Sequence, residues 1–435
     1  MKIRMTTAWA LLTCLSIASS LAAQSPEPLG PGFMPPPGGP MPAMPPYIPP
    51  TSILNPSPRG LESPAMANAF DEKEREPNPT SFNLGFEYLF IWIKRPNFPP
   101  LVTTGDINDT VPGAIGQTNT RVLLGGGDLA GVNGASAGRF TFSWVPAGYD
   151  WFGIDGNYMI MEQRSQFSNI RSDTTGRPLL ARPYFNAATG LESSDIRAFP
   201  DAFSATLHDA FTTNLMGAEI NFRFSPMTTA EYGSSLSFLV GPRWIQFSER
   251  YRNGDTITPI PNDTGTAFTI SDDIRTKNQF FGGQVGGVAH FAWDRLSFDF
   301  LGKFFAGTNN QKVRIAGRST ATDLTTGEVT VDNEQGLFAQ TSNQGTYSRS
   351  RGMFGFESGM AMNVEITDHI GIRVGYTLLW LNHIVRPSDV IDRRVNIQAI
   401  GPSDGDTTPL SPGPPTFQDK SMWIQGIDLG LNIRF

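Results

Sequence analysis

The chain has 435 residues, a formal net charge of −7, and 45 glycines, 35 prolines and 11% aromatics, a balance that favours strands and turns over helices. An acidic chain without a basic cluster along its sequence is a poor polyanion binder, so no nucleic-acid partner is expected. The hydrophobic fraction of 39% and mean hydropathy of −0.21 suit a soluble protein and a membrane barrel equally, because only alternate residues of a barrel strand meet lipid.

Residues 1–23 begin with Lys2 and Arg4, continue through an apolar stretch from Ala8 to about Ile17, and end in small residues at Ala22-Ala23, the pattern of a secretory signal peptide. Its removal takes the single cysteine, Cys14, with it and leaves a mature chain without thiol chemistry. Acylation of Cys14 is the weaker alternative, since Thr13 suits a lipoprotein site badly. No later run has the roughly 18 to 20 apolar residues of a spanning helix, so a membrane-resident mature chain would have to be a barrel. Residues 24–80 hold 17 of the 35 prolines and the charged run Asp71 to Glu76; this stretch reads as a disordered periplasmic linker. A cell-wall or periplasmic partner for it is the sharper alternative to a plain spacer.

Folded sequence is expected over 81–435, as ten strands. Ser81 to Ile93 alternates Phe82, Leu84, Phe86, Tyr88, Phe90 and Trp92 with Asn83, Gly85 and Glu87, the period-two pattern of a strand with one apolar face. Four hairpin units follow: 138–144 with 151–161, 214–224 with 236–244, 278–291 with 296–306, and 354–366 with 370–380. The last strand, Ser421 to Phe435, alternates to the final residue. The connections within the units are short, and those at 94–137, 164–206, 248–275, 308–350 and 383–420 are long. Short periplasmic turns and long extracellular loops on an even number of antiparallel strands describe an all-β, transmembrane up-and-down β-barrel of the outer membrane. Loops of that length invite further hairpins, for instance near Thr120 to Leu124 or Lys312 to Ala316, so twelve strands stay open.

Aromatics at the two lipid interfaces give an independent check. Trp92, Trp244, Trp380 and Trp423 fall at the loop ends of their strands, and Trp144, Trp151 and Trp293 at or beside the short turns. Trp423, Leu429, Leu431, Ile433 and Phe435 share the outward face of the last strand. A terminal aromatic there resembles the signal read by the barrel-assembly machinery, the expected partner in biogenesis, with outer-membrane lipid as the resident one. The same alternation turns twelve charges inward: Glu87, Asp155, Glu219, Asp299, Glu357 and Asp428 against Arg139, Arg223, Arg243, Lys303, Arg373 and Arg434. Ten strands enclose a narrow bore, and charges at that width must pair or keep water. A ladder of ion pairs that restricts the bore is expected.

With these strands in place the sequence resembles a planctomycete family of outer-membrane beta-barrel porins, beta-barrel porin family seven, formerly a domain of unknown function. The resemblance rests on Arg95 to Gly105, Leu180 to Gly190, Gln340 to Tyr347, His383 to Asn396 and the terminal Trp423 to Leu431, and covers about 81–435. It implies a barrel and the outer membrane, and supplies no catalytic residues. The family's glycine after the Arg-Pro pair is Ser388 here.

Other chemistry is thin. The four histidines, His208, His290, His369 and His383, have no metal-ligand spacing, and no metal or cofactor is expected. Adjacent His208 and Asp209 could serve a barrel enzyme at the outer mouth, but ordinary solvent-facing residues are the better account of them. Gly125-Gly126-Gly127-Asp128 is too generic for a phosphate loop, and Asp404-Gly405-Asp406 lacks the oxygen set of a calcium site. A non-enzymatic barrel is the expectation: a narrow porin or channel for small solutes, or a structural or adhesive surface barrel whose loops bind partners without significant transport.

Overall fold

The computed structural model describes residues 80–130, 134–149, 151–229, 234–261, 264–397 and 412–435. The leader, the proline-rich segment and Asp404-Gly405-Asp406 lie outside them. Seventeen strands follow in order: β1 (Ser81–Ile93), β2 (Phe98–Thr104), β3 (Arg121–Gly126), β4 (Ala135–Val145), β5 (Phe152–Met161), β6 (Arg164–Arg171), β7 (Leu180–Asn186), β8 (Leu191–Ala198), β9 (Phe203–Thr229), β10 (Ser234–Pro259), β11 (Thr266–Trp293), β12 (Leu296–Asp323), β13 (Val329–Asn333), β14 (Gly345–Glu365), β15 (Ile370–Ile384), β16 (Arg394–Val395) and β17 (Lys420–Arg434).

Ten of them form one closed antiparallel ring in the order β1-β4-β5-β9-β10-β11-β12-β14-β15-β17, and β17 returns to β1. Closure is in register over the whole shared length, from Asn83 opposite Arg434 to Ile93 opposite Ile424. No helix among the described residues is long and apolar enough to cross a membrane, and in this architecture the strands do so. Their outward side chains form a continuous apolar band: Phe86, Phe140, Val285, Phe304, Met360 and Leu429 are each about half exposed, as side chains facing lipid would be. The expected ring of ten therefore stands, and Thr120 to Leu124 and Lys312 to Ala316 add no wall strand. The first falls largely in β3, outside the ring, and the second lies within β12.

Two of the expected long loops are corrected. Segments 248–275 and 308–350 are largely strand, because β9, β10, β11 and β12 run on to 27, 26, 28 and 28 residues and stand well above the apolar band. The alternation continues there with its sense reversed. Phe247, Tyr251, Ile257, Ile274, Val313 and Ile315 turn inward and are buried, while Arg252, Thr256, Arg275, Lys312 and Arg314 turn outward. Outside a bilayer a barrel wall has water on its outer face and must bury its apolar residues inside. Trp244 is consequently mid-strand, not at a strand end, yet it marks the level where the outward face changes character. Trp92, Trp144, Trp151 and Trp293 lie at or beside strand ends, while Trp380 and Trp423, opposite each other, lie four and three residues inside theirs.

The expected loop 164–206 is also partly wall, since β6 continues the course of β5 along β9; β2, β3, β7, β8 and β16 form a second sheet in the order β16-β7-β2-β3, with β8 on β7, and this sheet caps the barrel at the end of the long connections. Phe98, Leu101, Val102, Leu180 and Tyr184 of the cap share one apolar core with Phe211, Tyr251, Ile274 and Val313 of the wall. Phe98 packs against the rings of Phe211 and Tyr251 with centroids 5.3 Å away in each case. Ser388 sits in the helical turn Pro387–Val390, where glycine's left-handed backbone is not needed.

Two outcomes follow from this architecture. Phe435 completes the outward face and its N–H donates to the Phe82 carbonyl at 3.0 Å across the closing seam; Phe435→Asp should abolish insertion, read as loss of heat-modifiable migration and of outer-membrane protein, and normal outer-membrane levels would refute the role of that terminus. A tag beside Gly190, in the exposed turn between β7 and β8, should be labelled on intact cells and a tag beside Asp368, in a short turn, should not; the opposite pattern would invert the topology.

Candidate functional site

The interior is layered, and each layer follows from which residue of a strand falls on the inward phase. Along β10 from the short-turn end the inward residues are Ser237, Leu239, Gly241 and Arg243, then Ile245 and Phe247. Along β1 they are Asn83, Gly85 and Glu87, then Leu89 and Ile91. Every wall strand with this order contributes a polar mouth, a charged layer and an apolar layer in turn.

The mouth is a cavity of about 610 Å³ that opens between the short turns, lined by polar groups such as Asn83, Ser143, Asn221, His290, Asn363 and Asn432. At its floor eleven of the twelve expected lumen charges meet. Arg139 holds Glu87 through Nε at 2.7 Å and lies 3.8 Å from Asp428. Arg373 reaches Glu87 at 3.3 Å, Asp428 at 3.5 Å and Asp299 at 2.8 Å. Arg243 bridges Glu357 at 2.6 Å and Glu219 at 3.3 Å, Lys303 also holds Glu219, and Arg223 lies 3.4 Å from Asp155. Arg434 is the exception: it is exposed at the rim and pairs with Glu365 at 3.1 Å. The network includes neutral partners that charge counting cannot find. Gln284 donates to Glu219 at 3.0 Å, Asn157 donates to the same carboxylate at 2.7 Å, and Asn363 donates to Asp299 at 2.8 Å. His290 contacts Asp299 at 2.7 Å.

Beyond the charges the bore is filled. Leu89, Leu215, Ile245, Phe247, Phe280, Phe305, Leu381, Met422 and Ile424 pack together with exposures of 5% or less, beside a small cavity of about 40 Å³ bordered by Leu89, Ile91, Ile245 and Leu379. The Arg243 guanidinium lies 4.5 Å over the Phe305 ring and joins the two layers. Above them the segment after β15 dips into the barrel. Asn309 and Gln311 donate to the His383 carbonyl at 2.9 and 2.6 Å, Asn278 binds both backbone groups of Val385, and Arg386 holds Glu249 at 2.9 Å and the Lys94 carbonyl at 2.7 Å.

The cap is anchored to the wall by a second buried ionic cluster. Arg182 of β7 donates to Asp209 of β9 at 3.0 Å and to Asp255 of β10 at 2.7 Å; Arg197 of β8 donates to Asp255 at 2.9 Å, and Tyr251 to Asp209 at 2.6 Å. Arg182, Arg197, Asp209 and Asp255 are all essentially unexposed. Burial by itself would lower the Arg182 pKa and raise that of Asp255, but Asp209 and Asp255 hold Arg182 well above the usual arginine value, and Arg182 and Arg197 hold Asp255 below the usual carboxylate range. His208 and Asp209 do not form a dyad. Neighbours on one strand point to opposite sides, so Asp209 enters this cluster while His208 faces outward beside Asn169.

A family model described as putative beta barrel porin-7 (BBP7) matches residues 84–435. The chain belongs to that family. As a beta barrel of this family it resides in the outer membrane. Among solved structures it is similar to the outer membrane protease OmpT of Escherichia coli, at 8% identity and TM-score 0.38, over 82% of this chain and 98% of that one. It is also similar to a Pseudomonas aeruginosa FadL homologue, at 9% identity and TM-score 0.21, over 82% of this chain and 90% of the other. At these scores the likenesses carry no inference about activity. None of the curated proteins matches the sequence. Four of the five segments that carry the sequence resemblance to the porin family, 95–105, 180–190, 340–347 and 383–396, lie in the cap or in the strand ends and connections beneath it, not in the lipid-facing wall.

The Arg182 cluster was missed in the sequence because its members come from three distant segments. Arg182→Ala leaves Asp209 and Asp255 buried with too few partners, a loss of about 3–5 kcal/mol. It should loosen the cap, read as protease cleavage between 177 and 200, while heat-modifiable migration stays intact; protease resistance equal to that of the unmodified protein would show that the cap does not depend on the cluster.

Proposed function

We propose that the protein is a closed outer-membrane barrel that presents a folded cap at the cell surface, with no significant transport in this state. The observation that carries the reading is the solvent-excluding layer around Phe247, Phe280 and Phe305, stacked between a charge-paired floor and a packed cap. A diffusion channel needs a continuous water path, and neither an apolar plug nor a floor of cross-linked charges offers one. The cap's outer turns, including that at Gly190, are then the surface available to a partner.

A narrow porin is the second reading. The family description favours it, as does the polar cavity of about 610 Å³ facing the short turns, which could serve as half of a permeation path if the cap and apolar layer parted.

Planar-bilayer recording separates the two. The purified unmodified protein should be silent or give only small steps; large stable channels of general-porin size would sink the closed-barrel reading. Replacing Arg243 and Arg373 together by glutamine should leave it silent, because the apolar layer beyond the charges is untouched. Larger or cation-selective currents in that variant would instead make the ion pairs the restriction and favour the porin.

A further inference from the structure

We infer that the outward face of β10, β11 and β12, just beyond the apolar band, is a binding site for a phosphate-bearing lipid of the outer leaflet. Register brings together cations that are far apart in sequence. Arg250 stands directly opposite Arg275, and Arg275 opposite Arg314; on the adjacent outward row Lys277 stands opposite Lys312. Arg252 completes the set, opposite Asp273. Asp273 is the one carboxylate among these six bases, and it is shared by Arg250 at 2.7 Å and Arg275 at 2.8 Å. Arg252, Lys277, Lys312 and Arg314 form no salt bridge among the described residues. Like charges directly opposite on neighbouring strands repel, so the lattice calls for an anion supplied from outside the chain.

Its height identifies that anion. Toward the bilayer the outward residues next to the lattice are Gln246, Gln279 and Asn310, then Trp244, Phe281 and Thr308, and then apolar residues such as Val285 and Phe304. Lys277 is four residues from Phe281, about 13 Å at roughly 3.3 Å per residue, which is the level of lipid headgroups above the acyl chains. Thr212 and Asn214 of β9 border the cations on one side and Thr346 and Ser348 of β14 on the other, adding neutral donors and no carboxylate. Phosphate oxygens suit clustered Arg and Lys, with the lipid tails lying on the aromatic and aliphatic band below.

The inference rests on the long connections facing outward, which the Gly190 and Asp368 tags test separately. The full chain in uncharged detergent is titrated with lipid A, a bisphosphorylated glucosamine lipid, and bound lipid is counted by native mass spectrometry. The unmodified protein should retain one lipid A per barrel, more weakly as salt rises, and Lys277→Gln/Lys312→Gln/Arg314→Gln should weaken binding at least tenfold. Arg318→Gln, at a position farther along β12 that pairs with Asp332 of β13, should bind as the unmodified protein does. Equal binding by the triple variant, or equal binding of dephosphorylated lipid A, would overturn the site. Displacement of the lipid by millimolar inorganic phosphate would overturn the lipid as its occupant. If the triple variant fails the heat-modifiability check, Lys312→Gln alone and the salt dependence of the unmodified protein decide the matter.

Discussion

The whole structure depends on one seam. Each backbone N–H and C=O that crosses the hydrocarbon must find its partner on a neighbouring strand, since an unsatisfied group there costs several kcal/mol. The pairing of β1 with β17 removes the last free edges and joins the first strand of the described residues to the last. Closure at ten strands then fixes the diameter, and the diameter decides the interior. Eight strands are just filled by side chains and sixteen or more leave water, so ten place opposing inward side chains within reach of one another.

What fills the bore follows from that reach. The six acids and six bases named from phase occupy inward positions, and the eleven that lie in the lumen find partners on neighbouring strands or across the bore, with amides of Asn157, Gln284 and Asn363 taking up further acceptor sites. A charged layer alone could hold water between its members. The apolar layer immediately beyond it cannot, and Arg243 lying on Phe305 shows the two packed face to face rather than separated by solvent. The interior therefore resembles a protein core with a paired ionic floor more than a pore lining.

The strands of the wall were legible in the sequence because a bilayer enforces period two with apolar residues on the outer phase, and Phe82 to Trp92 or Ile427 to Phe435 carry that phase without a break. Legibility failed where the phase kept its period but reversed its sense. Beyond Trp244 the apolar residues Phe247, Tyr251 and Ile257 face inward, so a search for apolar-out alternation stopped at the level of the lipid and took the rest for loop. The twelve inward charges could be named from phase alone, whereas Arg434 shows the limit of that rule, since a strand end at the rim faces water on either phase. Clusters assembled by register rather than by proximity along the chain were invisible. Arg250, Lys277 and Lys312 read as isolated bases, and the chain as one without a basic cluster, until strand pairing set them side by side.

The reversal also explains why the cap is folded rather than loose. Wall strands that rise above the bilayer present Phe211, Tyr251, Ile274 and Val313 to the inside, an apolar surface that would stand open to water over the shorter β4 and β5. The cap brings Phe98, Leu101, Val102 and Leu180 to the same place, and it has too few residues to bury them by itself. Wall and cap thus complete one core between them, and Asp209 and Asp255 of the wall pair with Arg182 and Arg197 of the cap. Opening the barrel by swinging the cap aside would expose both halves of that core and strand buried charges together, whereas the lipid-facing ring below would feel none of it. On the closed reading proposed above, a conducting state would require both the cap core and the apolar layer around Phe247 and Phe305 to part.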